Sequence, residues 1–326
     1  MKSTAIAPSN IAFIKFFGKT NDELRLPANS SISMCLSAAT TTTTVEFSSK
    51  YNQDIIEIVG DRFSDKERIR ISSHIDRIRK IAKVKQFAKV ITQNSFPKSS
   101  GIASSASGFA ALTLAASSAL GLSLTDLELT VHARLGSGSA ARSIPDGFVQ
   151  WNKGEKSNNS FAYSLYSPNH WNILDILVVL EDHPKSVSTT DAHKLAATSP
   201  FYKQRIAAMD EKIEKFKQTL KKRDFTSFGK IVEEEAFNMH AVMMTTTPSL
   251  LYWSAKTVEL ISAVWEWRQK GLSVYFTIDA GANVHLICEE KNQQNVVSAV
   301  NSLKIVKSIM INKPSKGARL INQHLF

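Results

Sequence analysis

Three short segments carry the residue types that a reaction between anions needs. The first is GSGSAAR, Gly136 to Arg142. Ser137 and Ser139 can cap a helix or bond a ligand oxygen, and the planar fork of Arg142 matches a carboxylate or a phosphate. On a plainer reading Arg142 pairs with a surface carboxylate. The second is the apolar run Tyr275 to Ile278, which ends in Asp279 followed by Ala280 and Gly281. A carboxylate at the mouth of a buried strand, beside residues too small to shield it, suits a general base or a metal-facing group, although aspartate is also an ordinary strand-end residue. The third is APSNIAFIKFFGK, where Lys15 interrupts an otherwise apolar strand. Such a lysine either runs its charge out to solvent or holds a buried anion.

A further segment, PKSSGIASSASG from Pro97 to Gly108, runs directly into the apolar helical stretch FAALTLAASSAL. Small residues let the backbone approach a ligand closely, and a helix start supplies unpaired N–H groups with a partial positive charge. That combination makes a phosphate cradle, and it serves a serine-capped core helix equally well. No GK[ST] follows the glycines and no GxGxxG is present, so it is neither a Walker loop nor a dinucleotide fingerprint.

The elements that must position these residues are mixed. The β-branched threonine run puts a strand at 39 to 47, with others at 54 to 59 and 87 to 93. Helices are predicted at about 65 to 82, behind a capping box of Ser64 and Glu67, then at 105 to 120, 125 to 134 and from 137 onward. These do not alternate as a βαβ repeat, so the class is α+β. ILDILVVL, Ile173 to Leu180, opens a second unit. Helices at about 199 to 222, 225 to 243 and 249 to 269 follow, then strands at 273 to 279 and 284 to 289 joined by AGAN. The expected division is 1 to 170 and 171 to 326, without repeats or a low-complexity linker.

The chain has 326 residues and a formal charge of +11. Its basic residues are spread out, and the densest run, Lys66 to Lys89, carries Ile71, Ile75 and Ile78 at helical spacing, as one solvated face of an amphipathic helix would. A nucleic-acid module is the competing reading, but no RNP-like aromatic motif, zinc spacing or helix-turn-helix accompanies the charge. A basic field favours small polyanions as well. Cys35 and Cys288 fall in segments that read as buried strands, without metal-ligand spacing. With no apolar run of about 18 residues and no leader-like start, a cytoplasmic protein without a membrane span is expected.

Taken together, SNIAFIKFFGK with LPANSSIS, NSFPKSSGIASSASGFAAL, ARLGSGSAARSIPDGFVQW, KSVSTT and FTIDAGANVH resemble, in order and over nearly the whole chain, the mevalonate diphosphate decarboxylase family of the GHMP kinase superfamily. The resemblance implies an N-terminal GHMP domain and a ferredoxin-like C-terminal domain, with the active site in the cleft between them. It implies ATP-dependent decarboxylation of mevalonate 5-diphosphate to isopentenyl diphosphate, ADP, phosphate and carbon dioxide, by transient phosphorylation of the 3-hydroxyl. By the same resemblance Asp279 faces that hydroxyl as base or orienting group, Lys15 lies close to Asp279, and Arg142 holds the substrate carboxylate. Ser137 and Ser139 contact the substrate, and Lys185, Ser188 and Thr189 match the diphosphate side. Asn94, Ser99, Ser100, Gly101, Ala103, Ser104, Ser105 and Ser107 are implied to hold ATP, with Mg2+ bridging its phosphates near Ser105. The family is often homodimeric and takes a small-molecule partner rather than nucleic acid or membrane.

This chain departs from the family in three places. Phe16 and Phe17 stand where IKYWGK is usual, Thr190 stands where an arginine follows the paired serines, and Ala282 replaces the proline of DAGPN. The loss of a hydroxyl and a guanidinium near the diphosphate leaves two alternatives open, a decarboxylase of mevalonate 5-phosphate and a mevalonate-type kinase.

Overall fold

Thr40 to Thr44 lie in the middle of an 18-residue strand, because β-branched side chains sit well on a pleated surface and poorly in a helix. The computed structural model describes residues 1–96, 104–181 and 187–326. The chain opens with β1 (Lys2–Ile14), the short pair β2 (Lys19–Asn21) and β3 (Leu26–Pro27), and then β4 (Ser31–Ser48). β5 (Ile55–Ile58), α1 (Asp65–Ala82) and β6 (Phe87–Asn94) follow, with β5 and β6 parallel. Next come α2 (Ser104–Ala119), α3 (Asp126–Gly136), a 3-10 turn over Gly138–Ser143, β7 (Phe148–Trp151) and β8 (Ala162–Tyr166).

The rest of the chain runs through β9 (Ile173–Val179), α4 (Thr189–Leu195), α5 (Tyr202–Lys222), α6 (Phe225–Met244) and α7 (Ala255–Gln269). It ends with β10 (Tyr275–Thr277), β11 (Val284–Glu289), α8 (Gln293–Asn301), β12 (Ser308–Asn312) and β13 (Arg319–Ile321). A seven-stranded sheet has the order β13-β1-β4-β6-β5, with β7 on the other reach of β4 and β8 beyond it. A four-stranded sheet has the order β10-β11-β9-β12. Two larger sheets with helices packed on them make the α+β class expected from the sequence. No helix among the described residues is long and apolar enough to cross a membrane.

Packing explains the composition of each element. The alanines of α2, among them Ala110, Ala111 and Ala115, are fully buried, and their small side chains let the helix settle against Ala5, Ala7 and Val45 of the first sheet. β9 is buried along its whole length, which is why it reads as a continuous apolar run. One core joins the two sheets: Phe13 and Ile14 of β1, Met34 of β4, Phe216 of α5 and Phe228 of α6 pack together with Trp171. Cys35 and Cys288 are both free and buried.

Several elements differ from the sequence reading. The helix expected from 137 is only a 3-10 turn over Gly138–Ser143, and Pro145, which has no N–H to donate, stands where a longer helix would continue. The helix expected from 249 begins at Ala255, where Ser254 and Thr257 form a capping box. The strand expected over 273 to 279 pairs only through Thr277, so Asp279 lies beyond its end. Lys15 likewise stands one residue past β1 rather than inside it.

Phe228 is the wedge of the shared core, with ring centroids 5.0 Å from Phe13, 5.2 Å from Trp171 and 5.2 Å from Phe216. Phe228→Ala is expected to destabilise the protein by about 3–5 kcal/mol. A urea midpoint equal to that of the wild type would refute this role.

Candidate active site

The end of β1 delivers Lys15 to a point between the two sheets. Its side chain is about 2% exposed, and its Nζ donates to Asp279 Oδ1 at 2.6 Å. Burial lowers the ammonium below the usual lysine range, and the neighbouring Asp279 offsets part of that drop. The backbone here is fixed on both sides. The Lys15 N–H donates to Glu235 Oε1 at 3.1 Å, and its carbonyl accepts from Asn29 Nδ2 at 2.9 Å and Arg205 Nη2 at 3.3 Å. Glu235 is fully buried; burial raises its pKa, but Arg205 and Lys212 outweigh that and hold it below the ordinary glutamate value. Asp279 is held through its own backbone, where His240 Nε2 meets its carbonyl at 3.2 Å, and its side chain is about 35% exposed toward the cleft.

Arg142, on the 3-10 turn, faces the same cleft. It is 4% exposed, its Nη1 donates to Ser31 Oγ at 2.7 Å and its Nε to Asn10 Oδ1 at 3.3 Å. Asn10 in turn donates to Ser143 Oγ and to the Ser139 carbonyl, so β1 and β4 together aim the guanidinium. Burial lowers the Arg142 pKa to about 10, which leaves it charged at neutral pH. Ser137 Oγ lies 3.2 Å from Ser105 Oγ and 3.4 Å from Ser139 Oγ, a hydroxyl chain running from the first turn of α2 into the cleft.

The cleft, of about 870 Å³, is lined by Lys15, Lys19, Arg25, Arg70 and Arg142 as cations and by Asp279 as the one carboxylate among the described lining residues. Arg25 and Arg70 donate to the carbonyls of Leu135 and Gly136 at the C-terminal end of α3, where cations are favoured. A second cavity, of about 670 Å³, lies on the other side of α2's first turn. Ile58, Phe63, Ile71, Val90 and Leu112 make its apolar walls, and Thr92, Asn94, Ser104 and Ser105 supply polar groups. Ser105 and Arg70 line both cavities, so the two spaces share a wall.

The structure thus brings Lys15, Asp279, Arg142, Ser137, Ser139 and Thr189 into one cleft, and Asn94, Ser104 and Ser105 to the adjoining cavity. Ser107 is fully buried, bonded to Thr41 Oγ1 at 2.6 Å, and lines neither cavity. Ser188 is the exposed N-cap of α4, accepting from the Asp191 N–H at 3.2 Å. Ser99, Ser100, Gly101, Ala103 and Lys185 lie outside the described residues. Sequence reasoning passed over Asn10, Lys19, Arg25, Arg70, His193, Glu235 and His240. Asn10 stood inside a matched segment, whereas Glu235 lay in a helix whose EEE run reads as a solvated face.

Gly18 closes the segment that follows Lys15. Its φ is +88, and a Cβ there would lie 2.0 Å from Tyr202 Oη, so both conformation and close approach require glycine.

Comparison with known proteins gives a consistent picture. Residues 7–162 match the model of the diphosphomevalonate decarboxylase-like N-terminal domain. Residues 175–321 match that of the mevalonate 5-diphosphate decarboxylase C-terminal domain. The chain is 32% identical to the diphosphomevalonate decarboxylase of Debaryomyces hansenii, over 91% of this chain and 82% of that one. It is 31% identical to the phosphomevalonate decarboxylase of Haloferax volcanii, over 92% of each. Its structure superposes on MDDEF in complex with MVAPP, AMPPCP and magnesium with a TM-score of 0.94, 35% identity and 99% coverage of both chains.

His74, His193 and His240 are buried, and burial pushes each down to about 3. In the unfolded chain a histidine titrates near 6.5, so between about 3 and 6.5 the unfolded state binds more protons and stability rises with pH. The contribution is complete above about 6.5 and is lost as pH falls toward 3. The urea midpoint is expected to fall from about pH 7 to pH 5, ahead of the carboxylates, and His240→Asn should flatten that fall; an equal slope in the variant would overturn the assignment.

Proposed function

The chain belongs to the diphosphomevalonate decarboxylase family, and from that premise we propose that it catalyses ATP-dependent decarboxylation of mevalonate 5-diphosphate to isopentenyl diphosphate, ADP, phosphate and carbon dioxide. The observation that carries this reading is the meeting of Asp279, Lys15 and Arg142 in a cationic cleft that shares Ser105 and Arg70 with an apolar cavity.

The residues present fit ATP and magnesium. The apolar cavity suits a purine base, and α2, 16 residues long with no acidic residue in its first turn, directs N–H groups at Ser104 and Ser105 toward phosphate. Among the described residues no group of three His, Cys, Asp or Glu could hold a metal ion. The hydroxyls of Ser104 and Ser105 are oxygen donors of the kind Mg2+ accepts, and Ser105 would help to hold an ion that keeps phosphate and water oxygens as most of its ligands. When bound, ATP with magnesium supplies the phosphoryl group that converts the tertiary 3-hydroxyl into a leaving group.

This chain's residues do the rest. Asp279 orients the 3-hydroxyl and takes its proton, and Lys15 favours the ionised carboxylate by lying 2.6 Å away. Arg142, held by Ser31 and Asn10, grips the substrate carboxylate and keeps it beside Phe16, whose ring is backed by the buried Trp151. The electrons of the broken carbon–carboxylate bond then form the double bond as phosphate leaves the adjacent carbon. Ser137 and Ser139 bond substrate oxygens, Thr189 and Lys185 serve the diphosphate side, and Ser99, Ser100, Gly101 and Ala103 join Ser104 and Ser105 around the ATP phosphates. Ser107 braces the first turn of α2 through Thr41 and the Ser104 carbonyl, and Ser188 caps α4.

The same reading divides the chain at 170/171, in keeping with a first sheet drawn mainly from residues up to 166 and a second that begins at 173. It also makes the enzyme a cytoplasmic homodimer. The similarity to the Haloferax volcanii phosphomevalonate decarboxylase favours mevalonate 5-phosphate as the second reading.

The test offers mevalonate, its 5-phosphate and its 5-diphosphate separately with ATP and magnesium and measures ADP and carbon dioxide. Coupled release with the diphosphate is expected; release with the monophosphate alone moves the assignment to the second reading, and ADP without carbon dioxide defeats both. Asp279→Asn should lower kcat roughly 10²–10⁴-fold while nucleotide affinity, read by a fluorescent ATP analogue, stays near wild type. Near-normal turnover would remove Asp279 from its role.

A further inference from the structure

His193 has no part in the steps above, yet it stands in the same cleft. It comes from α4, is 8% exposed, and lines the space together with Lys15, Ser139, Arg142 and Asp279. Its ring lies against Phe16, with centroids 4.2 Å apart, and 5.4 Å from Phe17. These rings fix its plane.

The protonation pattern of the ring follows from one contact. The Gly18 backbone N–H donates to His193 Nδ1 at 2.9 Å. A nitrogen that accepts from an amide carries no proton, so the proton of the neutral ring is on Nε2. Burial keeps the ring neutral, its pKa pushed down to about 3. No described residue accepts from Nε2, and Nε2 is not among the sealed polar atoms that lack a partner. The ring therefore turns a fixed N–H donor into the open cleft.

The surroundings define what that donor would meet. Lys19, Arg25 and Arg142 are the cations whose fields act on the ring, with Asp22 as the opposing charge, and Thr189 and Thr190 line the same wall. With Arg142 given to the substrate carboxylate, the anion left for this end of the cleft is phosphate. We propose that His193 is a substrate-binding residue whose Nε2–H donates to a phosphate oxygen of the substrate's diphosphate. This rests on the proposed function for the identity of the substrate, and on the geometry alone for the recognition of a diphosphate. At this end Lys19 is paired with Asp22 and Arg25 is bonded to the Leu135 carbonyl, whereas a ring clamped by Gly18 and Phe16 leaves a donor that sets where one oxygen lies.

A pair of substitutions separates the donor from a structural role. His193→Asn places an acceptor near the position of Nδ1 and keeps the Gly18 bond while removing the Nε2–H; His193→Gln places an amide N–H near Nε2 and gives up the acceptor. Binding of inorganic pyrophosphate and of mevalonate 5-diphosphate to the full-length protein is measured by calorimetry, beside steady-state kinetics and thermal denaturation. The Asn variant should bind both about 10- to 100-fold more weakly, as loss of a bond to a charged group implies, with the kinetic loss in KM rather than kcat. The Gln variant should bind both several-fold more tightly than the Asn variant. The reverse order, equal losses in both, or no loss in either would overturn the proposal, the first two by showing that the ring serves only Gly18 or the packing. Wild-type protein that binds pyrophosphate with this pattern but does not turn over the diphosphate would defeat the proposed function and leave the anion site standing. Failure of the wild type to bind pyrophosphate, with turnover intact, would overturn the His193 assignment and spare the function.

Discussion

The contact on which this architecture depends is the Lys15–Asp279 ion pair, because its halves come from opposite sheets. Lys15 follows β1 and Asp279 follows β10, 264 residues apart in sequence. Taking an ammonium out of water costs several kcal/mol, and that cost is offset only when the partner is held in good geometry. Here both partners are held through their backbones, Lys15 by Glu235, Arg205 and Asn29, and Asp279 by His240. The aromatic core of Phe13, Trp171, Phe216 and Phe228 fixes how the sheets meet, so the packing sets the register in which the charges pair.

From that constraint the rest of the cleft follows. A carboxylate pinned to a buried lysine is oriented before any substrate arrives, and preorganised charge is worth more in a site that excludes water. Ser105 and Ser137 touch across the wall shared by the two cavities, so donor and acceptor groups can be brought together without a large motion of the sheets. Arg70, which lines both spaces while bonded to the Gly136 carbonyl, puts a positive charge where a transferred phosphoryl group would pass.

The residues to which chemistry is assigned in the proposed function were legible in the sequence where they broke a local pattern. Lys15 interrupts an apolar run of sequence, Asp279 follows one, and Arg142 follows a run of small residues, and each sits in the cleft. Their supports were not legible. Glu235 and Arg205 form a fully buried pair, but on their own helices each is one charge among many, and only the docking of α5 and α6 onto β1 buries them. Ser107 carried the same small-residue signal as Ser105, and Ser188 stood in a segment matched to the family, yet they serve as a buried strut and a helix cap, a distinction made by tertiary placement alone. The capped helix Asp65–Ala82 behind Ser64 and Glu67 was read to the residue, whereas the longest strand, expected over 39 to 47, begins eight residues earlier at Ser31, since its first half has no β-branched run to mark it. Short edge strands such as β8, β12 and β13 gave no signal, since a few residues leave no period to detect and their pairing depends on distant partners.

The charge of the cleft bears on how many phosphates its substrate carries. Five cations face it against the carboxylate of Asp279, and one of the five, Lys19, is already paired with Asp22 at 2.5 Å. With Asp279 and Asp22 each answering one cation, about three positive charges remain, close to the roughly three negative charges that a carboxylate with one phosphate brings and the three to four that it brings with a diphosphate, so the net charge accommodates either. Phe16 and Thr190 remove a hydroxyl and a guanidinium relative to the family pattern, but neither change leaves a bare apolar wall. Phe16 is packed between Trp151 at 4.7 Å and His193 at 4.2 Å, and the imidazole adds a polar group at that end. Arg25 and Arg70, bonded to the end of α3, bring guanidinium charge to the cleft from elements other than α4. Positive charge at that end of the cleft is thus drawn from several elements rather than from one helix, which is how a cleft can depart from its family at single positions and stay cationic.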